Sequence, residues 1–283
     1  MTSQNLETNA KNTWCPGCGN FAILNSIKAV LKSIREEGTS LENVVLVSGI
    51  GCHAKIVDYI NANSFYSIHG RATPAAEGIK LANPNLKVIG FAGDGDAYGE
   101  GLEHLIFAAK RNIDITMIIH DNRVYGLTTG QYTPTSPLGF KGRSTPGGSK
   151  ERPINPLELM LASGATFLAR GFSHGIEQLK KIFKEAINHK GFALVDVLQV
   201  CVTFYNMYEY YDKRVYELKD HDAGDYAEAL NKIKEWNYHD DSKIALGVLY
   251  KKESPTFEEG LSSSGKSEID VDSNIKSILA KTI

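Results

Sequence analysis

The sequence predicts an α/β chain, a mostly parallel sheet flanked by helices, and two observations carry that prediction. Short β-branched runs recur: "NVVLVSG" from Asn43, "NLKVIGFAG" from Asn85, "DITMIIHDN" from Asp114 and "FALVDVLQV" from Phe192. Each is preceded by a segment of helical character, and strands that alternate with helices are joined by crossovers that bring each strand back parallel to the last. With 283 residues, 42% of them hydrophobic, the chain is long enough to bury one large core.

Taken in order, Phe21, Leu24, Ile27, Leu31 and Ile34 recur at helical spacing after Gly19 and predict a first helix. Between the first two strand runs, "AKIVDYINAN" and "TPAAEGIKLAN" have helical character; "GEGLEHLIFAAKRN" precedes the third run and "HGIEQLKKIFKEAINHKG" the fourth. In the last of these, "KIFKEAINHK" reads as a solvated face with an apolar side turned inward. From Gly130 to Pro156 the pattern breaks in a stretch that holds most of the prolines, and a loop of that length in a compact domain reads as a lid or binding loop. After about Tyr205 the chain turns tyrosine-rich and charged. The expected organisation is a principal unit over residues 1–210 and a peripheral C-terminal extension over 211–283.

A net charge of -2 argues against a nucleic-acid partner, which calls for a clustered basic excess. The N-terminus lacks the basic flank and apolar centre of a signal peptide, and no apolar run approaches the roughly 20 residues that span a bilayer. The expectation is a cytoplasmic protein without a membrane partner. In such a reducing compartment the four cysteines, Cys15, Cys18, Cys52 and Cys201, read as metal ligands or inert thiols rather than disulfides.

The chemistry gathers at strand ends. In "VIGFAGDGDAYGEG" a strand ends in Gly93-Asp94-Gly95, followed by Asp96. This resembles the start of a dinucleotide fingerprint, except that a carboxylate facing a pyrophosphate is repelled unless a cation lies between them. The next strand ends at Asn122, whose amide oxygen suits a hard octahedral cation such as magnesium, and one strand-helix-strand unit places Asp94 and Asn122 side by side at the carboxyl rim. Cys52 and Cys201 also follow strands to that rim, and the "WCPGCG" turn need only fold over it to complete a four-cysteine set. Such a set suits either zinc or an iron-sulfur cluster, and ligand type alone leaves both open. His104, His120, His174 and His189 are scattered without ligand spacing and read as surface or structural residues.

"GDGD" followed by "NRVYGLTTGQYTPTSP" resembles the thiamine-diphosphate motif of the beta subunits of 2-oxoacid:ferredoxin oxidoreductases. "WCPGCG", "SGIGCHAK", "HGRATPAAEGIKLANP", "AAKRNIDITMII" and "GATFLARG" are similar to that family too, so the resemblance runs from about Trp14 to Asn206. It implies a thiamine-diphosphate-binding fold. Asp94, Asn122 and the backbone carbonyl of Val124 are implied to hold Mg2+, while Ile50, Gly51, Cys52, His53, Gly93, Gly95, Asp96, Tyr125, Gly126, Leu127 and Thr128 line the thiamine diphosphate with His69 close by. Cys15, Cys18, Cys52 and Cys201 are implied to bind a 4Fe-4S cluster, and a redox centre beside thiamine diphosphate has a purpose that structural zinc would lack. His53, Lys55 and His69 are the groups placed to contact substrate, with a plain structural role as the alternative for each.

The implied activity is coenzyme A-dependent oxidative decarboxylation of a 2-oxoacid, with electrons passed through the cluster to ferredoxin. The resemblance also implies an alpha subunit as partner, which supplies the glutamate needed at the pyrimidine ring. Two departures bear on substrate: Thr129 stands where some members that take 2-oxoglutarate carry lysine, and His53 replaces a small serine. The competing readings are a non-redox thiamine-diphosphate enzyme and a zinc-stapled, non-catalytic module that binds a magnesium-diphosphate ligand.

Overall fold

Ile23, Leu24, Ile27, Val30, Leu31 and Ile34 fall on one side of α1 (Asn20–Glu36), and the helix buries that side against the sheet and against α5 (Ile176–Asn188). In α5 the same spacing produces Leu179, Ile182, Phe183, Ala186 and Ile187, all buried. With a 3-10 helix at His53–Tyr59, these two helices cover one face of the sheet. The opposite face carries α2 (Ala72–Ala82), α3 (Leu102–Arg111), α4 (Pro156–Ala162) and α7 (Tyr226–Lys234). The computed structural model describes residues 5–263, together with Ser277 and Ala280.

Between the helical layers lies an eight-stranded sheet built from β1 (Val44–Ser48), β2 (Asn63–Tyr66), β3 (Lys87–Gly93), β4 (Thr116–Asp121), β5 (Phe167–Phe172), β6 (Ala193–Leu198), β7 (Val215–Glu217) and β8 (Ile244–Lys251). The spatial order is β2-β1-β3-β4-β6-β5-β8-β7, and every pairing is parallel except β5 with β8. Every residue of β4, β5 and β6 is buried, as a parallel sheet covered on both faces requires. Registry then sets the site. Ser48 pairs with Phe91, Gly93 with His120 and Asp121 with Leu198, so the residues that follow β1, β3, β4 and β6 emerge at one edge.

The four strand runs read from sequence are β1, β3, β4 and β6, all parallel, and the mostly parallel α/β expectation holds. "AKIVDYINAN" forms the 3-10 helix and runs into β2 instead of making a full α-helix. The proline-rich stretch carries neither strand nor helix until Pro156, but it is packed down: Thr133, Thr135, Ser136, Phe140 and Ser149 are buried. Where sequence suggests a peripheral extension, residues 215–251 add β7 and β8 to the sheet, and Tyr211 of the short α6 (Tyr208–Asp212) joins Trp236, Tyr238 and Ile244 in a third buried cluster. The tyrosines that made this segment read as polar bury their rings against Phe172 and Trp236. The final stretch, "GLSSSGKSEIDVDSNIKSILAKTI", lies largely outside the described residues. Among the described residues no helix is long and apolar enough to cross a membrane.

Candidate cofactor and metal site

At the carboxyl edge of the sheet a cleft opens where β1, β3 and β4 end. The turn after β1 brings Ile50, Gly51, Cys52 and His53; the segment after β2 brings His69; β3 delivers Gly93, Asp94, Gly95 and Asp96; and the turn after β4 contributes Asn122, Val124, Tyr125, Gly126, Leu127 and Thr128. Every residue expected around a diphosphate and its cation therefore meets in one cleft. Lys55 does not line it: its ammonium donates to Thr13 Oγ1 at 2.7 Å, on the N-terminal segment.

On the cation side, Asp94 is the last residue before the chain widens into a π-helical turn over Gly95–Glu100, and its side chain is buried. Burial pushes its carboxyl up to about 6, against the hydrogen bonds that support its charge. The Thr135 hydroxyl lies 2.8 Å from Asp94 Oδ2 and 2.8 Å from Asp121 Oδ1. One hydroxyl can donate to one carboxylate and accept from the other, so this bridge holds a proton between the two acids. Burial, then Asp196 and Asp94, raise Asp121 well above the ordinary carboxylate range as well.

Next to it, the Val124 N–H donates to Asn122 Oδ1 at 3.1 Å, an Asx turn that forces Arg123 into the left-handed region at φ 60. Arg123 tolerates this conformation because it is locked from all sides. Its Nε donates to the Thr135 carbonyl at 2.7 Å, its Nη2 donates to the Tyr238 carbonyl, and its guanidinium lies over the Trp236 ring at 5.4 Å. Behind it, Asp196 accepts hydroxyls from Tyr98 at 2.8 Å and Tyr238 at 2.5 Å, and Arg170 stacks on Trp236 and Tyr238. Three buried carboxylates, Asp94, Asp121 and Asp196, thus face two buried guanidiniums, Arg123 and Arg170, and the proton held between Asp94 and Asp121 balances the third charge. A divalent metal at Asp94 would take the place of that proton, with neutral oxygens from Asn122 and Val124 beside it.

On the other side of the cleft, Asp96 accepts the Gly70 N–H at 2.6 Å and stands 3.3 Å from His53 Nε2 and 3.5 Å from His69 Nδ1. His53 is buried, while His69 also reaches Glu100 at 3.2 Å. Tyr125 donates toward Glu100 at 3.1 Å and covers Gly95 so closely that a Cβ there would sit 2.2 Å from its ring. Gly49 is similarly committed, since a Cβ would fall 1.8 Å from Asp96 Oδ2.

The cysteines converge at the rim. The "CPGC" turn closes with Cys18 N–H on Cys15 O at 3.0 Å, and the Gly19 N–H bolts it to Val200 O at 3.1 Å, next to Cys201. Trp14 donates its indole N–H to Cys52 O at 2.6 Å and packs edge-on against Phe21 and Tyr59, which fixes the turn over the end of β1. A Cβ on Gly126 would lie 3.6 Å from Cys52 Sγ and 3.8 Å from Cys201 Sγ, so both thiols flank the floor of the cofactor cleft. Burial pushes the Cys18 thiol up to about 12, with the other three cysteines adding to the rise, and burial with Cys201 raises Cys52 against the pull of Lys55. Two thiols, Cys18 and Cys52, thus resist ionisation unless a cationic centre lies beside them. Among the described residues no three His, Cys, Asp or Glu side chains gather tightly enough for a single metal ion.

Residues that sequence did not single out complete the site: Asp121, Arg123, Thr135, Gln199 and, at its rear, His120 paired with Asn20 Oδ1 at 2.8 Å. Burial and then His53 hold His120 well below its ordinary value, and it is neutral. No local sequence pattern marks these residues, since what each bonds to is set by the fold.

Residues 49–197 match the family model of the thiamine pyrophosphate enzyme C-terminal TPP binding domain, so the chain carries the fold and site of a thiamine-pyrophosphate enzyme. Residues 201–265 match the model for the C terminal part of the pyruvate ferredoxin oxidoreductase beta subunit. The chain is 44% identical over 276 residues to the 2-oxoacid:ferredoxin oxidoreductase subunit beta of Saccharolobus solfataricus, covering 92% of this chain and 88% of that one. It is also 45% identical over 191 residues to the 2-oxoglutarate oxidoreductase subunit KorB of Mycobacterium tuberculosis, covering 68% of this chain and 50% of that one. Among solved structures, a 2-oxoglutarate:ferredoxin oxidoreductase from Magnetococcus marinus with 2-oxoglutarate, coenzyme A and succinyl-CoA bound superposes with TM-score 0.87 at 33% identity, over 96% of this chain and 94% of that one. The chain belongs to the beta subunits of the 2-oxoacid:ferredoxin oxidoreductases, which are oxidoreductase enzymes.

Proposed function

We propose that this protein, assembled with an alpha subunit in the cytoplasm, carries out coenzyme A-dependent oxidative decarboxylation of a 2-oxoacid to an acyl-CoA and CO2, with ferredoxin as electron acceptor. The observation that carries the reading is the double placement of Cys52, which lines the diphosphate cleft and stands with Cys201 against Gly126. Asp94, Asn122 and the Val124 carbonyl would hold Mg2+, and Cys15, Cys18, Cys52 and Cys201 would hold a 4Fe-4S cluster. When bound, thiamine diphosphate supplies the electron sink for decarboxylation, and the cluster carries electrons onward singly.

The chain's own residues do the positioning. Glycines at 51, 93, 95 and 126 let backbone approach the ligand closely, and Asp94 offers its carboxylate to the cation. Asp96 fixes the ring of buried His53 at the cleft wall and orients half-buried His69 at its mouth, where the imidazole can reach substrate. Ile50 and Leu127 present exposed apolar side chains at the same mouth, a surface suited to the alpha subunit that closes the site.

The test is metal and sulfide analysis of protein purified without oxygen, followed by assay with the alpha subunit. About four irons and four sulfides per chain, lost in Cys201→Ala, with ferredoxin reduced on addition of 2-oxoacid and coenzyme A, is the expected result. Stoichiometric zinc without sulfide, or no ferredoxin reduction with pyruvate, 2-oxoglutarate or branched 2-oxoacids, overturns it.

A further inference from the structure

Behind the cleft one side chain touches both centres. Gln199 follows β6, is 1% exposed, and has its backbone N–H on Asp121 O at 2.9 Å. The Asx turn orients the first link: because Asn122 Oδ1 takes the Val124 N–H, its Nδ2 is the end left to donate, and it does so to Gln199 Oε1 at 3.0 Å. With Oε1 committed as acceptor, the two protons on Gln199 Nε2 have two acceptors, Val200 O at 2.6 Å and Cys18 Sγ at 3.5 Å. Each group in the chain has its orientation set by the one before it.

On the function proposed above, we propose that Gln199 is a positioning residue that couples the two centres, one amide holding the magnesium ligand Asn122 while donating an N–H to the Cys18 thiolate. Reduction adds negative charge to the sulfurs of a cluster, so an N–H donor stabilises the reduced form more and raises the potential. A cation on Asn122 Oδ1 withdraws electron density from that amide, strengthens its N–H toward Gln199, and through the second amide strengthens the N–H on Cys18. Cofactor loading therefore favours reduction of the cluster, and reduction favours cofactor binding by the same factor.

The test uses the anaerobic holoenzyme with two variants. Gln199→Met keeps length and removes both donor and acceptor; Gln199→Glu keeps an acceptor for Asn122 and removes the donor to Cys18. Iron and sulfide are quantified, the cluster is titrated by EPR-monitored potentiometry, and magnesium-dependent thiamine diphosphate affinity is measured by calorimetry. In both variants the reduction equilibrium should move about tenfold toward the oxidised form, 59 mV for one electron. The Met variant should also bind magnesium thiamine diphosphate about tenfold more weakly, while the Glu variant retains wild-type affinity. Loading the cofactor should raise the wild-type midpoint more than that of the Met variant. Full clusters with an unmoved midpoint in both variants, or equal rises on loading, overturn this inference alone. If the Met variant assembles no cluster, the Glu variant decides in the same way. A wild-type chain without iron and sulfide overturns the proposed function and this inference with it.

Discussion

Asp94 and Cys18 show how burial prepares ligands for cations that they do not yet hold. Burial lifts the Asp94 carboxyl from 3.8 to about 6, so the fold prefers the protonated acid, and the metal-free protein loses stability as pH climbs from the lower value through the higher. A cation needs the ionised acid, so magnesium thiamine diphosphate should bind with affinity that is flat above about pH 6 and falls about tenfold per unit below it. Calorimetry across that range, with Asp94→Asn as the reference, checks this; a wild-type profile parallel to that of the Asn variant would remove Asp94 from the metal. The thiols behave in the same way. In cluster-free protein at pH 8, iodoacetamide should modify exposed Cys15 at least about a hundredfold faster than Cys18, whose thiolate is scarce when burial pushes the thiol up to about 12. Peptide mass spectrometry over a time course reads the order of labelling, and comparable rates would mean that the pocket around Cys18 is open to water.

Elements explain what sequence could and could not disclose. β1, β3, β4 and β6 were legible because both of their faces are buried, which demands unbroken β-branched runs, and the site at their ends was legible because a carboxylate and an amide follow two neighbouring runs at the rim where ligands of open sheets bind. β2 was not legible: four exposed residues at an edge carry no burial pattern. Nor was β5, where a buried arginine interrupts "FLARGF" and finds its place through Trp236, Tyr238 and the Ala245 carbonyl, far along the chain. Gln199 and Thr135 were invisible for the same reason, because what they bond to is set by strand registry for the one and by the packing of the 130–156 loop for the other. Two glycines test the element-scale reading from opposite sides. Gly95 sits on the π-helical turn under Tyr125, so Gly95→Ala must displace that ring and its bond to Glu100, weakening cofactor binding about tenfold or more with little change in Tm. Gly78 lies within α2 with nothing within 4 Å of an added Cβ, and Gly78→Ala should stabilise the protein by about 0.5–1 kcal/mol through helix propensity. Thermal and urea melts with binding isotherms on both variants separate the two outcomes. Unimpaired binding in Gly95→Ala would mean the turn adjusts at no cost.

At the scale of the whole molecule the question is whether the chain is one cooperative unit or a unit over 1–210 with an extension over 211–283. The Asn122–Val124 turn that faces the cleft depends on Arg123, and Arg123 is held by Tyr238 and Trp236 beyond residue 210. β8 is paired along β5, and Trp236 and Tyr238 are stacked with ring centroids 4.2 Å apart under two buried guanidiniums. Releasing the C-terminal segment would strip those guanidiniums of their cover and leave the edge of β5 unpaired, costs of several kcal/mol that no surface contact offsets. Separate unfolding is therefore disfavoured. The two tryptophans of the chain, Trp14 over the cysteine turn and Trp236 in the C-terminal segment, allow a direct measurement. In Trp14→Phe, urea unfolding followed by the fluorescence of Trp236 and by far-ultraviolet circular dichroism should give the same midpoint, as one cooperative transition requires. If Trp236 fluorescence changed at lower urea than the bulk of the secondary structure, the C-terminal segment would be a separable extension, and the hold it has on Arg123 would be too weak to shape the cation site.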